Sequence, residues 1–381
     1  MKTKILFLLV LSLFFGSLRV HSIALKGSKS EYFFVGTYSE GGSEGIYIYS
    51  LDTGSGKLSN HGLASKAENP SFLTLTSDGR FLLAVSETKD VQNQNAGYVA
   101  SFSVNQTDHH LIPVNKVSSG GAHPCFVAVN QLGSVLVANY TGGNVSMFHI
   151  DNLGKLGTSS DIVQHVGNGP VKARQAAPHV HSAYFEPNSQ RIFVSDLGTD
   201  KVAVYVSDSN GSKLTKSVVP EIKLAPGSGP RHLAFHPKLK LVYVVNELSN
   251  NISVVELSRD GSFKTLETVS TLPKGYDQIS NCADIHISGD GRFLYASNRG
   301  YNSIAIFSVD SVNGKITLIG QESTQGETPR NFSLSPTEDF LVVANQNSQD
   351  IVSFQRDRIT GKLQYADKIK AFKPVCILFD K

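Results

Sequence analysis

Three basic side chains occupy the same place in a segment that recurs along this chain. His181, Arg231 and Arg330 each stand second in a short apolar stretch that opens a repeated unit. If the units fold alike, the three side chains meet at one end of the molecule. Positive charges gathered in this way repel one another unless carboxylates or a bound anion offset them. The pattern therefore predicts a site for an anionic ligand.

A second set of candidates stands where the next strand of each unit ends. The residues at that position are Tyr38, Glu87, Tyr140, Leu197, Glu247, Arg299 and Gln346. Glu247 and Arg299 stand out, because a carboxylate can offset the cations and a guanidinium can bind an anion. Gln346, and Asp196 beside Leu197, are further candidate ligand contacts. Each charged residue could instead form an ion pair between neighbouring units, and Asp196 resembles such a structural residue most.

Two histidines are compatible with a metal site, but the rest of the pattern does not support one. His179 and His181 lie two residues apart on a strand and so point to the same side. A zinc site needs further ligands, and the register places no other histidine or cysteine beside them. We therefore expect no metal and no other cofactor. The remaining first-strand and turn histidines are interpreted as hydrogen-bonded structural residues: His123, His232, His236 and His286.

The repeat that carries these residues predicts a β-propeller. Its units begin at markers spaced 45 to 56 residues apart: Ser71, Cys125, His181, Arg231, Ala283, Arg330 and Val375. Each unit shows short alternating strands, the last of which follows a Gly-Lys-Leu-like turn, as at Gly154 and Gly361. No helical period separates the strands, so a parallel sheet with helical crossovers does not fit. Four strands at this period are typical of a propeller blade. Seven markers predict an all-β, seven-bladed propeller with four-stranded antiparallel blades.

The two ends of the repeat predict how the ring closes. The segment 373–379 reads as a first strand with nothing after it, whereas 31–37 reads as a second strand with nothing before it. Together they make one complete blade. Joining the C-terminal strand to the N-terminal strands removes the free sheet edges that an open ring would expose.

Composition narrows the classes of partner. The chain has 381 residues, 40% of them hydrophobic, and a formal net charge of +3 with scattered lysines and arginines, so we expect no nucleic-acid partner. The three cysteines, Cys125, Cys282 and Cys376, are widely spaced and odd in number, which fits neither a disulfide framework nor a paired metal site. We interpret them as small buried side chains. The cationic positions predict a small anionic partner, and the expected state is a monomer.

The N-terminus resembles a secretory signal peptide. Lys2 and Lys4 precede the apolar run 5–15, and Val20 and Ser22 suit the −3 and −1 positions of a cleavage site. The run is short for a membrane span, although a retained anchor is the alternative. We expect residues 1–22 to be removed, leaving 23–381 as one propeller domain, periplasmic or secreted, with no stable membrane insertion.

Six motifs resemble the seven-bladed lactonase family that includes propeller-type 6-phosphogluconolactonase and the fungal carboxy-muconate lactonizing enzyme. They lie at 178–187, 194–200, 229–237, 245–248, 296–300 and 327–332, and the resemblance covers nearly all of the mature chain. It implies an active site formed by Arg231, Glu247, Arg299 and a histidine of the 178–181 segment. We prefer His181 over His179 because His181 shares its position in the repeat with Arg231.

The resemblance implies hydrolysis of a sugar-acid lactone without a cofactor. Water attacks the ring carbonyl, Glu247 or His181 takes its proton, and cations stabilise the oxyanion. Arg231 and Arg299 are expected to hold the oxyanion or an anionic group of the substrate, with Arg330 as a further contact. Two alternatives stay open. One is a lactonizing enzyme acting on muconate-type dicarboxylates, and the other is an exported propeller that binds a sugar acid or a protein without turnover.

Overall fold

The computed structural model describes residues 29–90, 96–258 and 261–380. Within these ranges the chain forms seven four-stranded antiparallel sheets and one short helix, so the predicted all-β propeller is confirmed. Each sheet is one blade. Residues 1–22, interpreted above as a signal peptide, lie outside the described residues. No helix in the described ranges is long and apolar enough to cross a membrane.

The strands of the first four blades follow one another in chain order. Blade 1 begins with β1 (Ser30–Thr37), β2 (Gly45–Asp52) and β3 (Leu58–Lys66). Blade 2 contains β4 (Leu73–Leu75), β5 (Phe81–Asp90), β6 (Ala96–Val104) and β7 (Leu111–Ser118). Blade 3 contains β8 (Pro124–Val129), β9 (Ser134–Asn139), β10 (Asn144–His149) and β11 (Asp161–Gln164). The helix α1 (Lys172–Gln175) precedes blade 4, which contains β12 (Val180–Phe185), β13 (Arg191–Asp196), β14 (Lys201–Ser207) and β15 (Leu214–Lys223).

The remaining strands complete the ring. Blade 5 contains β16 (Pro230–Phe235), β17 (Leu241–Asn246), β18 (Asn251–Leu257) and β19 (Phe263–Ser270). Blade 6 contains β20 (Asn281–Ile287), β21 (Phe293–Arg299), β22 (Ser303–Val309) and β23 (Ile316–Ser323). Blade 7 contains β24 (Pro329–Leu334), β25 (Phe340–Asn345), β26 (Asp350–Arg356) and β27 (Leu363–Lys370). The last strand, β28 (Pro374–Phe379), returns to blade 1.

Pairing of β28 with β1 closes the ring as predicted. The two strands run antiparallel, with Val35 opposite Ile377 and Gly36 opposite Cys376. The first strand of each blade also contacts the first strand of the next, and this holds from β24 to β28 and from β28 to β4. These seven strands therefore surround the central channel. Because blade 1 draws strands from both ends of the chain, neither terminus leaves an unpaired inner edge.

The apolar core lies between the blades rather than inside any one of them. Seven apolar clusters are buried, and each is shared by two adjacent blades. The middle strands are covered on both faces, which explains continuous apolar runs such as Leu241–Val245. The three cysteines are buried and unpaired, as predicted.

The glycine of the Gly-Lys-Leu-like turn fits tightly against the preceding blade. Gly361 has φ +72°, and a Cβ at this position would overlap the Phe293 ring of blade 6. Its carbonyl accepts a hydrogen bond from the Tyr295 hydroxyl at 2.8 Å. Gly154 has φ +81° and meets Phe81 of blade 2 in the same way. Glycine is needed here for the positive φ and for the close approach.

A β-bulge at the channel positions the candidate side chains. The first strands of blades 4, 5 and 7 shift register across His181, Arg231 and Arg330 respectively, so none of these residues has a partner on the second strand. Bulges of this kind leave one residue outside the ladder and redirect its side chain. The marker residues His181, Arg231 and Arg330 are thus the bulged residues of their inner strands. We call the end of the channel at which they lie the channel mouth.

Candidate active site at the channel mouth

Glu247 is the centre of the site. It follows β17, and its backbone N–H donates to the Gly229 carbonyl at 2.7 Å. Its side chain is only 4% exposed and faces three guanidinium groups. Oε2 lies 2.9 Å from Nη2 of Arg299 and 3.0 Å from Nε of Arg231, the latter without hydrogen-bond alignment. Oε1 accepts a hydrogen bond from Nη2 of Arg174 at 2.5 Å.

The three arginines keep Glu247 ionised despite its burial. Burial alone would raise the pKa of Glu247, but Arg299, Arg231 and Arg174 together lower it to about 2. One carboxylate offsets only one of the three cations, which leaves an excess of two positive charges. Nε of Arg299 is also buried and has no hydrogen-bond acceptor among the described residues. The arrangement suits a dianionic ligand or a developing oxyanion.

Arg231 is the most enclosed of the three cations, with a side chain 2% exposed. Its Nη1 donates to the Ala283 carbonyl and lies 3.4 Å from Nε2 of His232. Burial lowers the pKa of Arg231 to about 10, with Arg299 and Arg330 adding to the effect, so the group stays cationic at neutral pH. Its contacts link Glu247 to the inner strand of blade 6.

His181 lies beside this cluster in a neutral state. Burial, followed by Arg231, His232 and Arg330, holds the pKa of His181 well below its usual value. Its ring meets the ring of Tyr140 edge-on, with centroids 5.5 Å apart. Nδ1 lies 3.7 Å from Sγ of Cys125, the marker residue of blade 3. The expectation that no cysteine lies beside the histidine pair was therefore wrong, since the same register that aligns the markers brings Cys125 next to His181.

His179 has a different environment from His181. Its ring stacks on Tyr140 at 4.5 Å, and Nδ1–H donates to the Tyr140 carbonyl at 3.1 Å. Tyr140 therefore contacts His179 face to face and His181 edge-on. Within residues 29–90, 96–258 and 261–380, no group of three or more His, Cys, Asp or Glu is arranged to hold a metal ion.

Arg330 belongs to a second, smaller cluster at the mouth. Its Nη2 lies 3.7 Å from Oε2 of Glu87, and its guanidinium lies over the Tyr38 ring, 5.3 Å from the centroid. The Tyr38 hydroxyl donates to Glu87 at 3.0 Å. The Arg330 side chain is 15% exposed. Two of the seven second-strand positions listed from sequence, Tyr38 and Glu87, thus meet around Arg330 through the closure of blade 1 against blade 7.

Two residues expected to contact the ligand lie elsewhere. Asp196 is fully buried: Oδ1 accepts from the His179 and Gly198 amides, and Oδ2 lies 2.9 Å from Nδ1 of His165. These contacts leave Asp196 no exposed atom, and they fix the chain that leads to His181. Gln346 is half-buried at its turn, where its backbone N–H donates to the Thr328 carbonyl at 2.9 Å. No hydrogen bond of the described residues links its side chain to the arginines.

Two features of the site were missed from sequence. Arg174 comes from α1, a helix that the equivalent connections of the other described blades lack, so the repeat register could not reveal it. Asp284 was missed because β20 skips two residues, Ala283 and Asp284, where the inner strands of blades 4, 5 and 7 skip one. The buried carboxylate of Asp284 lies 2.6 Å from Nδ1 of His232 and 3.1 Å from Nε2 of His286. The sequence signal that could have pointed to Asp284 is its position as an acidic residue directly after the marker Ala283.

Comparison with known proteins shows which family the chain resembles. The model of the family described as "Lactonase, 7-bladed beta-propeller" matches residues 32–379. A 6-phosphogluconolactonase of Bacillus subtilis is 38% identical over 352 residues, covering 91% of this chain and 97% of the relative. A 6-phosphogluconolactonase of Formosa agariphila is 39% identical over 338 residues, covering 87% and 94%.

A solved structure agrees over the whole propeller. The Pseudomonas aeruginosa periplasmic gluconolactonase superposes with a TM-score of 0.87 at 31% identity, covering 93% of this chain and 99% of that one. Identity at this level, spread over nearly the full length of both chains, extends beyond a shared fold. The chain therefore belongs to the seven-bladed β-propeller lactonase family and is a lactone hydrolase.

Proposed function

We propose that the chain opens a sugar-acid lactone at the channel mouth by attack of water on the ring carbonyl. The observation that carries the proposal is the excess of two positive charges around buried Glu247, beside a neutral His181. Relatives named 6-phosphogluconolactonase and a similar structure named gluconolactonase support a gluconolactone-type substrate.

In this mechanism His181 is the base and Glu247 is not. Both oxygens of Glu247 are held by guanidinium groups, and a carboxylate with a pKa of about 2 is a weak proton acceptor at neutral pH. His181 keeps a lone pair because its environment disfavours the imidazolium. The oxyanion that forms as water attacks adds negative charge nearby, which favours protonation of the imidazole.

The arginines have different roles in this mechanism. Arg299 and Arg330 have side chains 17% and 15% exposed, so they are placed to contact the oxyanion or an anionic group of the substrate. Arg231 acts by holding Glu247 and the Ala283 carbonyl. When the tetrahedral intermediate collapses, the bond to the ring oxygen breaks, and the imidazolium of His181 returns its proton to that oxygen. The product is a sugar acid, which releases a proton as it ionises.

The test is a hydrolysis assay of the mature chain with 6-phosphoglucono-δ-lactone and glucono-δ-lactone, corrected for spontaneous opening. We expect turnover of at least one lactone, and an Arg299→Gln variant that loses roughly 10²-fold or more in kcat/KM. Arg292→Gln is the matched control, because Arg292 lies in an exposed turn of the same blade paired with Asp290. Binding of gluconate without turnover of either lactone would contradict the proposal.

The same cations could serve a lactonizing enzyme, which binds two carboxylates. The presence of a second cationic position, the Arg330–Glu87 pair, beside the Glu247 cluster is the observation that favours this second candidate. Adding a muconate-type dicarboxylate to the assay decides between them. Lactone formed from the muconate, with no hydrolysis of gluconolactones, would replace the first candidate.

We also propose that residues 1–22 direct export and that 23–381 functions outside the cytoplasm as a monomeric, single-domain protein. The N-terminal sequence supports this, and a similar structure is that of a periplasmic enzyme. N-terminal sequencing of the exported protein should give Ile23, and light scattering should give the mass of one chain. A cytoplasmic, uncleaved or membrane-bound product would contradict it.

A further inference from the structure

The longest described connection at the channel mouth joins β11 to β12. We call residues 165–179 the strap. It contains α1, and the strap brings Arg174 from the gap between blades 3 and 4 to Glu247 of blade 5. The other two cations on Glu247 come from the blades themselves. Arg174 is therefore the one member of the cluster that blade packing does not determine.

A buried glutamine anchors the strap directly beside Arg174. Gln175 is 0% exposed, and its Nε2 donates to the Leu197 carbonyl at 2.8 Å and to Oδ1 of Asp200 at 2.7 Å. The same Asp200 oxygen accepts from the Gly229 amide at 2.8 Å, two residues before Arg231. The backbone under Arg174 is thus tied to the segment that leads into the arginine cluster.

The side chain of Arg174 is far more accessible than its neighbours. It is 38% exposed, against 17% for Arg299 and 2% for Arg231. Its hydrogen bonds to Glu247 at 2.5 Å and to the Tyr140 hydroxyl at 3.4 Å both use Nη2. Among the described residues, Nε and Nη1 are not used in a hydrogen bond. A planar guanidinium presents five donors in a fixed fork, so these groups can hold a second oxyanion.

The charge balance indicates which ligand group suits that fork. Glu247 stays paired with Arg231 and Arg299 whether or not Arg174 turns toward a ligand. The excess of two positive charges equals the charge of a phosphate monoester near neutral pH, which is about −1.5 to −2. Arg174 is the most exposed of the three cations on Glu247, so a lactone whose ring carbonyl faced Arg299 and His181 would present its exocyclic end to Arg174.

We propose that Arg174 is a specificity-determining residue that binds an exocyclic phosphate group of the lactone. The inference rests on the proposed function for its position relative to the reacting carbonyl. It assigns to the strap a role in substrate choice and leaves the chemical step to the residues on the blades.

The experiment compares Arg174→Gln, Arg174→Lys and the control Lys172→Gln on two substrates. Lys172 is exposed on the same helix, so its variant removes one positive charge from the strap without touching Glu247. For Arg174→Gln we expect KM for 6-phosphoglucono-δ-lactone to rise roughly 10- to 100-fold, with kcat changed less than about threefold. KM for glucono-δ-lactone should stay within about threefold of wild type. For Arg174→Lys, KM for 6-phosphoglucono-δ-lactone should lie between those of the wild type and Arg174→Gln, because a point charge replaces the fork.

Two kinetic outcomes overturn the inference. An equal loss on both lactones would mean that Arg174 acts through Glu247, and no change on either would mean that it does not contact the ligand. Calorimetric binding of 6-phosphogluconate and of gluconate gives a readout that does not require turnover. If neither lactone is hydrolysed, the proposed function fails, yet a preference for 6-phosphogluconate that is lost in Arg174→Gln supports this inference. No preference in the wild-type chain, or a preference that survives in Arg174→Gln, overturns it.

Discussion

Nδ1 of His232 donates to Oδ1 of Asp284 at 2.6 Å, and this contact joins blades 5 and 6 directly beside Arg231. Burial would raise the pKa of Asp284, but His286 and His232 hold it far below its usual range, so the carboxylate accepts and Nδ1 carries the proton. Burial lowers the pKa of His232 to about 4, which keeps the ring neutral. Nε2 then presents a lone pair toward Nη1 of Arg231, 3.4 Å away. Asp284 thereby sets the tautomer that faces the arginine cluster.

Replacing Asp284 with Asn should disturb this arrangement without removing a group that contacts substrate. The Asn side chain keeps one acceptor oxygen and carries an NH2 group in place of the other, so its hydrogens face a donor either on His232 or on His286 and Asn331. We therefore expect a loss of about 2–4 kcal/mol in unfolding free energy. Nitrogen NMR should show the Nδ1–H tautomer of His232 in the wild type and a mixture in the variant. Asp290→Asn, in an exposed turn of the same blade, is the control. An unchanged tautomer with lowered activity would contradict the positioning role.

Glu247→Gln should change the pH dependence of stability as well as activity. Because the folded pKa of Glu247 is about 2 against an ordinary value of 4.5, its stabilising contribution is complete above pH 4.5 and is lost as pH falls toward 2. This corresponds to about 3 kcal/mol. The variant should be less stable at neutral pH, and its stability should decline less between those pH values. Denaturant titrations at several pH values across this range measure the unfolding free energy of both proteins. Parallel plots of that free energy against pH would contradict the prediction.

His181→Asn should lose roughly 10²–10⁴-fold in kcat, whereas His179→Asn should lose far less. His179 donates to a backbone carbonyl and stacks on Tyr140, which is a supporting role. Since the pKa of His181 lies well below 6.5, kcat/KM of the wild type for glucono-δ-lactone, which carries no titrating phosphate, should be flat from about pH 6 to about pH 7.5. An acidic limb with a midpoint near 6.5 would assign the base to another group.

Deleting residues 374–381 should destabilise the whole ring. The deletion removes the strand that pairs with β1 and that supplies Ile377 and Phe379 to the cluster shared by blades 1 and 7. We expect a single cooperative transition at a clearly lower temperature, because the exposed edge and the open core affect every blade interface. A melting curve that matches the full chain would refute ring closure as a source of stability.

Gly361→Ala should cost about 1–3 kcal/mol although the turn is on the surface. The added methyl group would meet the Phe293 ring, and φ of +72° is unfavourable for alanine. Gly79→Ala is the matched control, since Gly79 has φ +70° with open space around it. If both variants lose the same stability, only the dihedral angle matters and the contact with blade 6 contributes nothing.

The repeat in the sequence predicted the blades, their number and the closing strand, because spacing and alternation depend on local properties of each unit. The same register brought His181, Arg231 and Arg330 to the channel, since the bulge recurs at the marker. Their contacts were less predictable. Arg231 pairs with Glu247 on its own blade, whereas Arg330 pairs with Glu87 across the closed ring. Only the assembled structure shows which of the equivalent positions meet.

Residues outside the repeat could not be located from it. Arg174 lies in a helix that the other described units lack, so aligning the units could not show where its side chain lies. Asp284 lies one residue past its marker, and the wider bulge of β20 leaves it without a partner in the ladder with the second strand. Asp196 shows the opposite case: it holds the expected position, but its oxygens are used inside the fold.

The pairing of β28 with β1 also sets the order in which the protein becomes functional. Tyr38 and Glu87 are made early and Arg330 late, yet they form one cluster only when blade 1 meets blade 7. The strand that brings those blades together, β28, ends at Phe379 and follows all other strands in chain order. A growing polypeptide therefore holds an incomplete site until β28 has been synthesised. Anion binding at the mouth then reports that the last strand has been inserted, in whichever compartment folding takes place.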